Sequence, residues 1–317
     1  MNLRMLGLAA VLVSLPCLAQ DKKKDPDEIG NRDVGKGINF YSLEKEMALG
    51  HQLATEVRRQ AKMLDDPIVA EFVNRLGQNL VRNSDAKVPF TFEIIEADKL
   101  NAFALPGGFI FVNTGLIEAA ETEAELAGAM AHEIAHVAAR HATRQATRGQ
   151  LLEYGSLPLV LLGGWGGVAA RQAATVAIPM GFLSFSRGFE TEADLLGLQY
   201  MYKAGYDPTA SIDLFERMLT LEKRRPGTIP KMFSTHPMTD DRIARTQKNI
   251  AELLKDRPEY VVTTSEFNEV RDRLKMRYVP RKEDDPNRQR LRKPEAEPGA
   301  VADAEDKPTV KRRDWVD

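Results

Sequence analysis

Apolar residues recur along the first part of this chain with the period of an amphipathic helix. Between Ser42 and Leu64 they fall at Met47, Leu49, Leu53, Val57 and Met63, one face of a helix. Ser42 is placed as its N-cap, and Glu44 and Glu46 lie near the positive end of the helix dipole. Lys45 at the third helical position leaves the capping box incomplete. A second helix is expected from Pro67 to Arg82. The period then shortens. Residues 90–96 (FTFEIIE) and 108–113 (GFIFVN) are aromatic and β-branched, with Pro106-Gly107-Gly108 as the turn signal between them. These predict a small antiparallel sheet inside a mostly helical chain.

A long helix is expected from about Glu121 to Gly149, with Thr122 and Glu125 at capping-box spacing. Further helices are expected at Phe189–Lys203, Pro208–Lys223 and Thr239–Leu254, with a polar loop around Arg224–Thr228. The fold class is therefore α+β, predominantly helical.

The flanks break the pattern. Arg4, the apolar stretch Leu6–Leu15 and the small residues Cys17 and Ala19 read as a signal peptide over 1–19, marking an exported, periplasmic protein. Cys17 invites a lipoprotein reading, which Pro16 disfavours. Cleavage after Ala19 leaves no cysteine, so neither a disulfide framework nor a thiol nucleophile is available. Residues 20–39 are polar and aperiodic and read as a flexible lead-in. Residues 40–280 make the folded domain, and 281–317, with acidic and basic residues in equal number and four prolines, read as a disordered charged tail. Residues 155–170 carry no charge. Their five glycines and Pro158 speak against a spanning helix and for a buried or flap-like segment, with peripheral membrane contact as the alternative.

Charge changes the picture little. The 44 basic and 46 acidic residues nearly cancel, so no global field attracts nucleic acid, which is excluded as a partner.

Chemistry concentrates in His132-Glu133-Ile134-Ala135-His136. On a helix the two histidines share a face one turn apart and can chelate one zinc ion. Glu133 is rotated by about 100° from His132, beside the metal, where it can take a proton from the attacking water. Chance produces such a pentapeptide in about one chain in a hundred, so context decides. Here the motif lies mid-helix among Leu126, Met130, Ile134 and Val137, in a chain with five histidines.

A catalytic zinc needs a third protein ligand and an open position. Glu190 lies 54 positions beyond His136 and shares a helix face with Asp194. One carboxylate can bind metal while the other holds a ligand histidine by its second nitrogen. A solvated acidic first turn would look the same. His141, five positions after His136, is off the chelating face and reads as a surface or supporting residue. His51 reads as structural. Arg187 is placed to orient a carboxylate rather than to bind substrate.

Four segments carry a resemblance to a known family: NAFALPGGFIFVNTGLI (101–117), ELAGAMAHEIAHVAARH (125–141), SRGFETEAD (186–194), and AGYDP with STHPMTDDRI (204–243). Over Glu44–Leu254 the chain resembles the HtpX and CAAX prenyl protease family of gluzincin zinc metallopeptidases, and within it the soluble periplasmic, BepA- and LoiP-like branch. The resemblance implies a zincin-like fold, one Zn2+ per chain, His132, His136 and Glu190 as ligands, Asp194 in support, and Glu133 as general base. It also implies that His236 approaches the metal, either as an oxyanion donor or as a fourth ligand that closes the site. Arg242 is then a second donor or a structural partner. The strand Gly108, Phe109, Ile110, Phe111 reads either as an ordinary core hairpin or as an exposed sheet edge that binds an extended peptide, and the resemblance favours the peptide-binding edge. The expected activity is endopeptidase cleavage of unfolded or misassembled envelope and outer-membrane proteins. The alternative is an envelope chaperone or scaffold that retains zinc with little proteolysis.

Overall fold

The computed structural model describes residues 22–161, 185–224, 236 and 239–277. The expected signal segment 1–19 and the tail 281–317 lie outside the described residues, as does most of 155–170.

Helix α1 (Leu43–Gln60) starts where Ser42 turns its hydroxyl to accept the Lys45 N–H, with Glu44 and Glu46 in the first turn. Asp66 caps α2 (Pro67–Arg82), accepting the Ile68 N–H at 3.2 Å ahead of a proline that has no N–H to orphan. The stripe Val69, Phe72, Val73, Leu76 and Leu80 is buried in the core.

Three strands follow: β1 (Thr91–Ile95), β2 (Ala102–Leu105) and β3 (Phe109–Asn113), in the spatial order β1-β3-β2. The sheet is mixed rather than antiparallel: β2 and β3 pair antiparallel, but β1 and β3 are parallel. The Pro106-Gly107-Gly108 turn thus joins β3 to β2, not to the strand at 90–96. The short AFAL stretch carried too little period to be read as a strand, although it supplies the antiparallel partner. The turn needs its glycines. Gly107 and Gly108 have φ of 76° and 97°, and a Cβ on Gly108 would stand 2.1 Å from the Pro89 carbonyl oxygen.

This topology corrects the expectation for Gly108, Phe109, Ile110 and Phe111. Gly108 lies in the turn, and Phe109, Ile110 and Phe111 begin the central strand, paired on both sides, with Ile110 and Phe111 fully buried. No edge remains there for a peptide. Among the described residues the edges of the sheet are β1 and β2.

Helix α1 lies against the same turn. A Cβ on Gly50 would stand 1.8 Å from the Pro106 carbonyl oxygen, a backbone atom that has no rotamer to escape into. Gly50→Ala gains about 1 kcal/mol of helix propensity but overpacks this contact. A net destabilisation of about 2–3 kcal/mol is expected, read from the midpoint of a urea transition.

The remaining helices are α3 (Thr114–Ala119), α4 (Glu123–Ala138), α5 (His141–Leu161), α6 (Arg187–Ala204), α7 (Ala210–Arg224), α8 (Asp240–Leu253) and α9 (Ser265–Arg277). Helix α4 is buried on nearly all sides, between α2, the sheet, α6 and α7. Helix α9, unread in the sequence, adds Phe267, Val270 and Leu274 to the core. None of the described helices is long and apolar enough to cross a membrane.

Two departures matter for the site. The expected helix 121–149 is broken: α4 ends at Ala138, Arg140 adopts φ 57°, and α5 starts afresh at His141. Arg140 is the one non-glycine residue at positive φ among those described, a conformation that costs about 1–3 kcal/mol. Bonds from its guanidinium to Glu46 and to the Tyr41 carbonyl hold it there.

The segment read as a flexible lead-in is instead tied to the body. It forms 3-10 turns at Lys22–Lys24 and Pro26–Glu28, buries Val34, and places Arg32 on Asp85 in a buried ion pair at 2.9 Å. The Tyr200 hydroxyl also donates to Asp85 at 2.9 Å. Low average hydropathy hid a few long-range polar contacts.

Candidate metal centre

Helix α4 carries His132, Glu133 and His136 into the interior, and α6 lies across it. The close approach depends on Gly197, where a Cβ would meet the His132 backbone nitrogen at 3.0 Å. Ser186 caps α6, accepting the Phe189 N–H, so Glu190 falls in the first turn and Asp194 one turn later.

Four donors converge. His136 Nε2 lies 3.0 Å from His132 Nε2, and Glu190 lies 3.4 Å from His132 Nε2 and 3.5 Å from His136 Nε2. His236 Nδ1 stands 2.8 Å from Glu190 Oε1 and 3.4 Å from His132 Nε2. All four residues are buried, and their donor atoms lie within 4.8 Å of one another. Zinc–ligand bonds of about 2.0–2.2 Å in a tetrahedron put the donors about 3.3–3.5 Å apart, so the donor set fits a zinc ion. Glu190 Oε2 is buried, facing His132 Nε2 at 3.4 Å and Arg242 at 3.3 Å, so the carboxylate is held charged among the donors, as a cation ligand would be.

Asp194 Oδ1 lies 3.2 Å from His132 Nδ1. Asp194 is gripped by Arg242, whose Nε and terminal nitrogen donate to its two oxygens at 2.8 and 2.6 Å. Arg242 also reaches the Glu190 carboxylate at 3.3 Å and donates to the His236 carbonyl at 3.2 Å. Arg187 is exposed at the start of α6, and among the described residues Arg242, not Arg187, pairs with Glu190 and Asp194.

The charges of the metal-free protein follow from these contacts. Burial disfavours a charged His132, yet Asp194 and Glu190 hold its pKa up, to about 10. Burial would raise Glu190, but hydrogen bonds from His132 and His236 win and hold it well below the carboxylate range. His136 is pushed well down by burial and by its cationic neighbours. The Glu133 carboxyl is raised by burial, against the pull of His236 and His132. It sits beside the donors without joining them, Oε1 3.5 Å from His236 Nε2, next to the Ala104 backbone of β2.

Sequence reasoning underrated His141. It is fully buried, with Nδ1 2.9 Å from His136 Nδ1 and Nε2 3.1 Å from Glu192 Oε2. A continuous helix would have turned it away; the break at Arg140 turns it back. Phe185, also unread, stacks on His136 with ring centroids 4.1 Å apart.

Two histidines one turn apart on a buried helix, a carboxylate from a second helix, and a buried glutamate beside them define the site of a gluzincin metallopeptidase. The model for peptidase family M48 matches residues 67–250, and the chain belongs to that family. It is 32% identical over 244 residues to the beta-barrel assembly-enhancing protease of Escherichia coli K12, covering 74% of this chain and 49% of that protein. The protein of the same name in Yersinia pestis is 32% identical over 235 residues, 71% of this chain and 48% of the relative. The mitochondrial metalloendopeptidase OMA1 of Saccharomyces cerevisiae is 37% identical over 153 residues, 47% of this chain and 43% of the relative. The chain thus spans about half the length of these curated relatives.

Proposed function

We propose that this chain is a zinc-dependent endopeptidase that hydrolyses peptide bonds in unfolded or misassembled cell-envelope proteins. The observation that carries the reading is the convergence of His132, His136, Glu190 and His236 on one point, with Glu133 beside it. His132, His136 and Glu190 are the ligands that hold the metal, with Asp194 backing His132 and Arg242 bracing both carboxylates. When bound there, zinc supplies Lewis-acid polarisation of the scissile carbonyl and acidifies water. Glu133 takes the proton of the attacking water and later delivers it to the leaving amine.

Substrate enters as an extended strand. The edge strand β2, whose Ala104 lies against Glu133, is suited to align it by backbone hydrogen bonds. Only an unfolded segment can present its backbone in this way. The names of the bacterial relatives, beta-barrel assembly-enhancing proteases, support a periplasmic setting and outer-membrane protein substrates. The test is cleavage of a permanently unfolded protein with and without chelator. Chelation is expected to abolish cleavage and to lower thermal stability; zinc held at about 100 times its Kd contributes about 2.7 kcal/mol. A chaperone or scaffold would bind the unfolded protein and leave it intact.

His236 completes a set of four protein donors, which is the closed arrangement of a structural zinc site rather than the open one of a catalytic site. This favours His236 as a latency ligand. His236→Ala is then expected to raise cleavage severalfold while weakening zinc binding by roughly tenfold. A fall in cleavage at unchanged zinc affinity would instead make His236 an oxyanion donor.

A further inference from the structure

We propose that His141 and Glu192 are positioning residues that form a hydrogen-bonded relay behind the metal ligand His136 and fix the tautomer and orientation of its ring. This rests on the metallopeptidase reading of the site. His136 presents Nε2 to the other donors, 3.0 Å from His132 Nε2 and 3.5 Å from Glu190 Oε1. A nitrogen that binds metal carries no proton, so the His136 proton sits on Nδ1. Its partner among the described residues is His141 Nδ1, at 2.9 Å. It must accept, so His141 is protonated on Nε2, which faces Glu192 Oε2 at 3.1 Å. One assignment of protons satisfies every nitrogen in the row.

The surroundings hold this arrangement. Glu192 is fixed by Lys23 Nζ at 2.7 Å and by Arg144 at 3.3 Å, and the His141 ring stacks on Phe189 with centroids 4.4 Å apart. The two ligand histidines are therefore supported in parallel ways. His132 has a carboxylate, Asp194, directly behind it, anchored by Arg242. His136 has its carboxylate one imidazole further back, anchored from α5 and from the first turn of the described chain. An imidazole inserted between ligand and carboxylate transmits orientation across a gap that the glutamate alone does not span. The strained break at Arg140 is what turns His141 into that gap.

The full chain would be tested by measuring zinc affinity in competition with a chromophoric chelator. His141→Phe keeps the ring packing on Phe189 but strands the His136 N–H, and zinc binding is expected to weaken by roughly 10–100-fold. His141→Asn restores an acceptor near Nδ1 and should recover part of that loss, which a merely space-filling role would not give. Glu192→Gln, which keeps shape but removes the charge, is expected to weaken binding by a smaller factor. Unchanged affinity in both His141→Phe and Glu192→Gln overturns the relay. Should His141→Phe fail to fold, nitrogen NMR of the zinc-loaded wild type still decides. His141 protonated on Nε2 and His136 on Nδ1 supports the relay; His141 protonated on Nδ1 overturns it. A wild-type protein that binds no zinc overturns the metallopeptidase reading itself, a different result from zinc binding that ignores these substitutions.

Discussion

Glu133→Gln is expected to bind zinc as the wild type does and to cleave unfolded polypeptide about 10²–10⁴-fold more slowly. The carboxylate lies beside the four converging donors without being one of them, so the metal loses no ligand. The amide has the same shape but cannot take a proton from water. Burial already raises the Glu133 carboxyl above its usual range, so replacing it by a neutral group removes a desolvation cost and should leave stability intact or improved. Cleavage of an unfolded substrate, measured alongside bound zinc per chain, separates these effects. A metal-loaded Glu133→Gln protein with full activity would remove Glu133 from the role of base.

Arg242→Ala is expected to produce the largest loss of stability of any single change near the site. The guanidinium is buried, holds both oxygens of Asp194, and reaches Glu190 and the His236 carbonyl. Its removal leaves two buried carboxylates with only the His132 imidazole as a shared cation, and breaking one partner of a buried pair costs about 3–5 kcal/mol. In a domain of this size that lowers Tm by roughly 6–20 °C. The loss should be greatest in chelated protein, where no metal offsets the charge on Glu190. Arg242→Lys is expected to recover only part, because an ammonium cannot form the two-pronged contact with Asp194. Thermal melts with and without zinc provide the measurement, and equal melting of Arg242→Ala and wild type in chelator would contradict the structural role.

Features set by near neighbours along the chain were legible in the sequence. The Ser42 cap and the limits Pro67–Arg82 depend on side chains reaching backbone a few residues away. The spacing of His132 to His136 and of Glu190 to Asp194 follows from one helical turn. Choosing Glu190 over Asp194 needed the family resemblance, since both share a face, and the structure places Glu190 among the donors and Asp194 behind His132.

What the sequence by itself determined is the chemistry: a two-histidine clamp, its glutamate and a carboxylate pair, on helices whose faces local periodicity dictates. Tertiary structure alone decided the rest. It placed β3 between β1 and β2, moving the free edge from Gly108–Phe111 to Ala102–Leu105, because strand order depends on pairing between distant segments. It broke the helix at Arg140 and brought His141 and Glu192, 51 positions apart, into line behind His136. It also drew the polar segment around Lys23 and Arg32 onto the body through ion pairs such as those with Glu192 and Asp85, contacts too far apart in sequence for any window of composition to register.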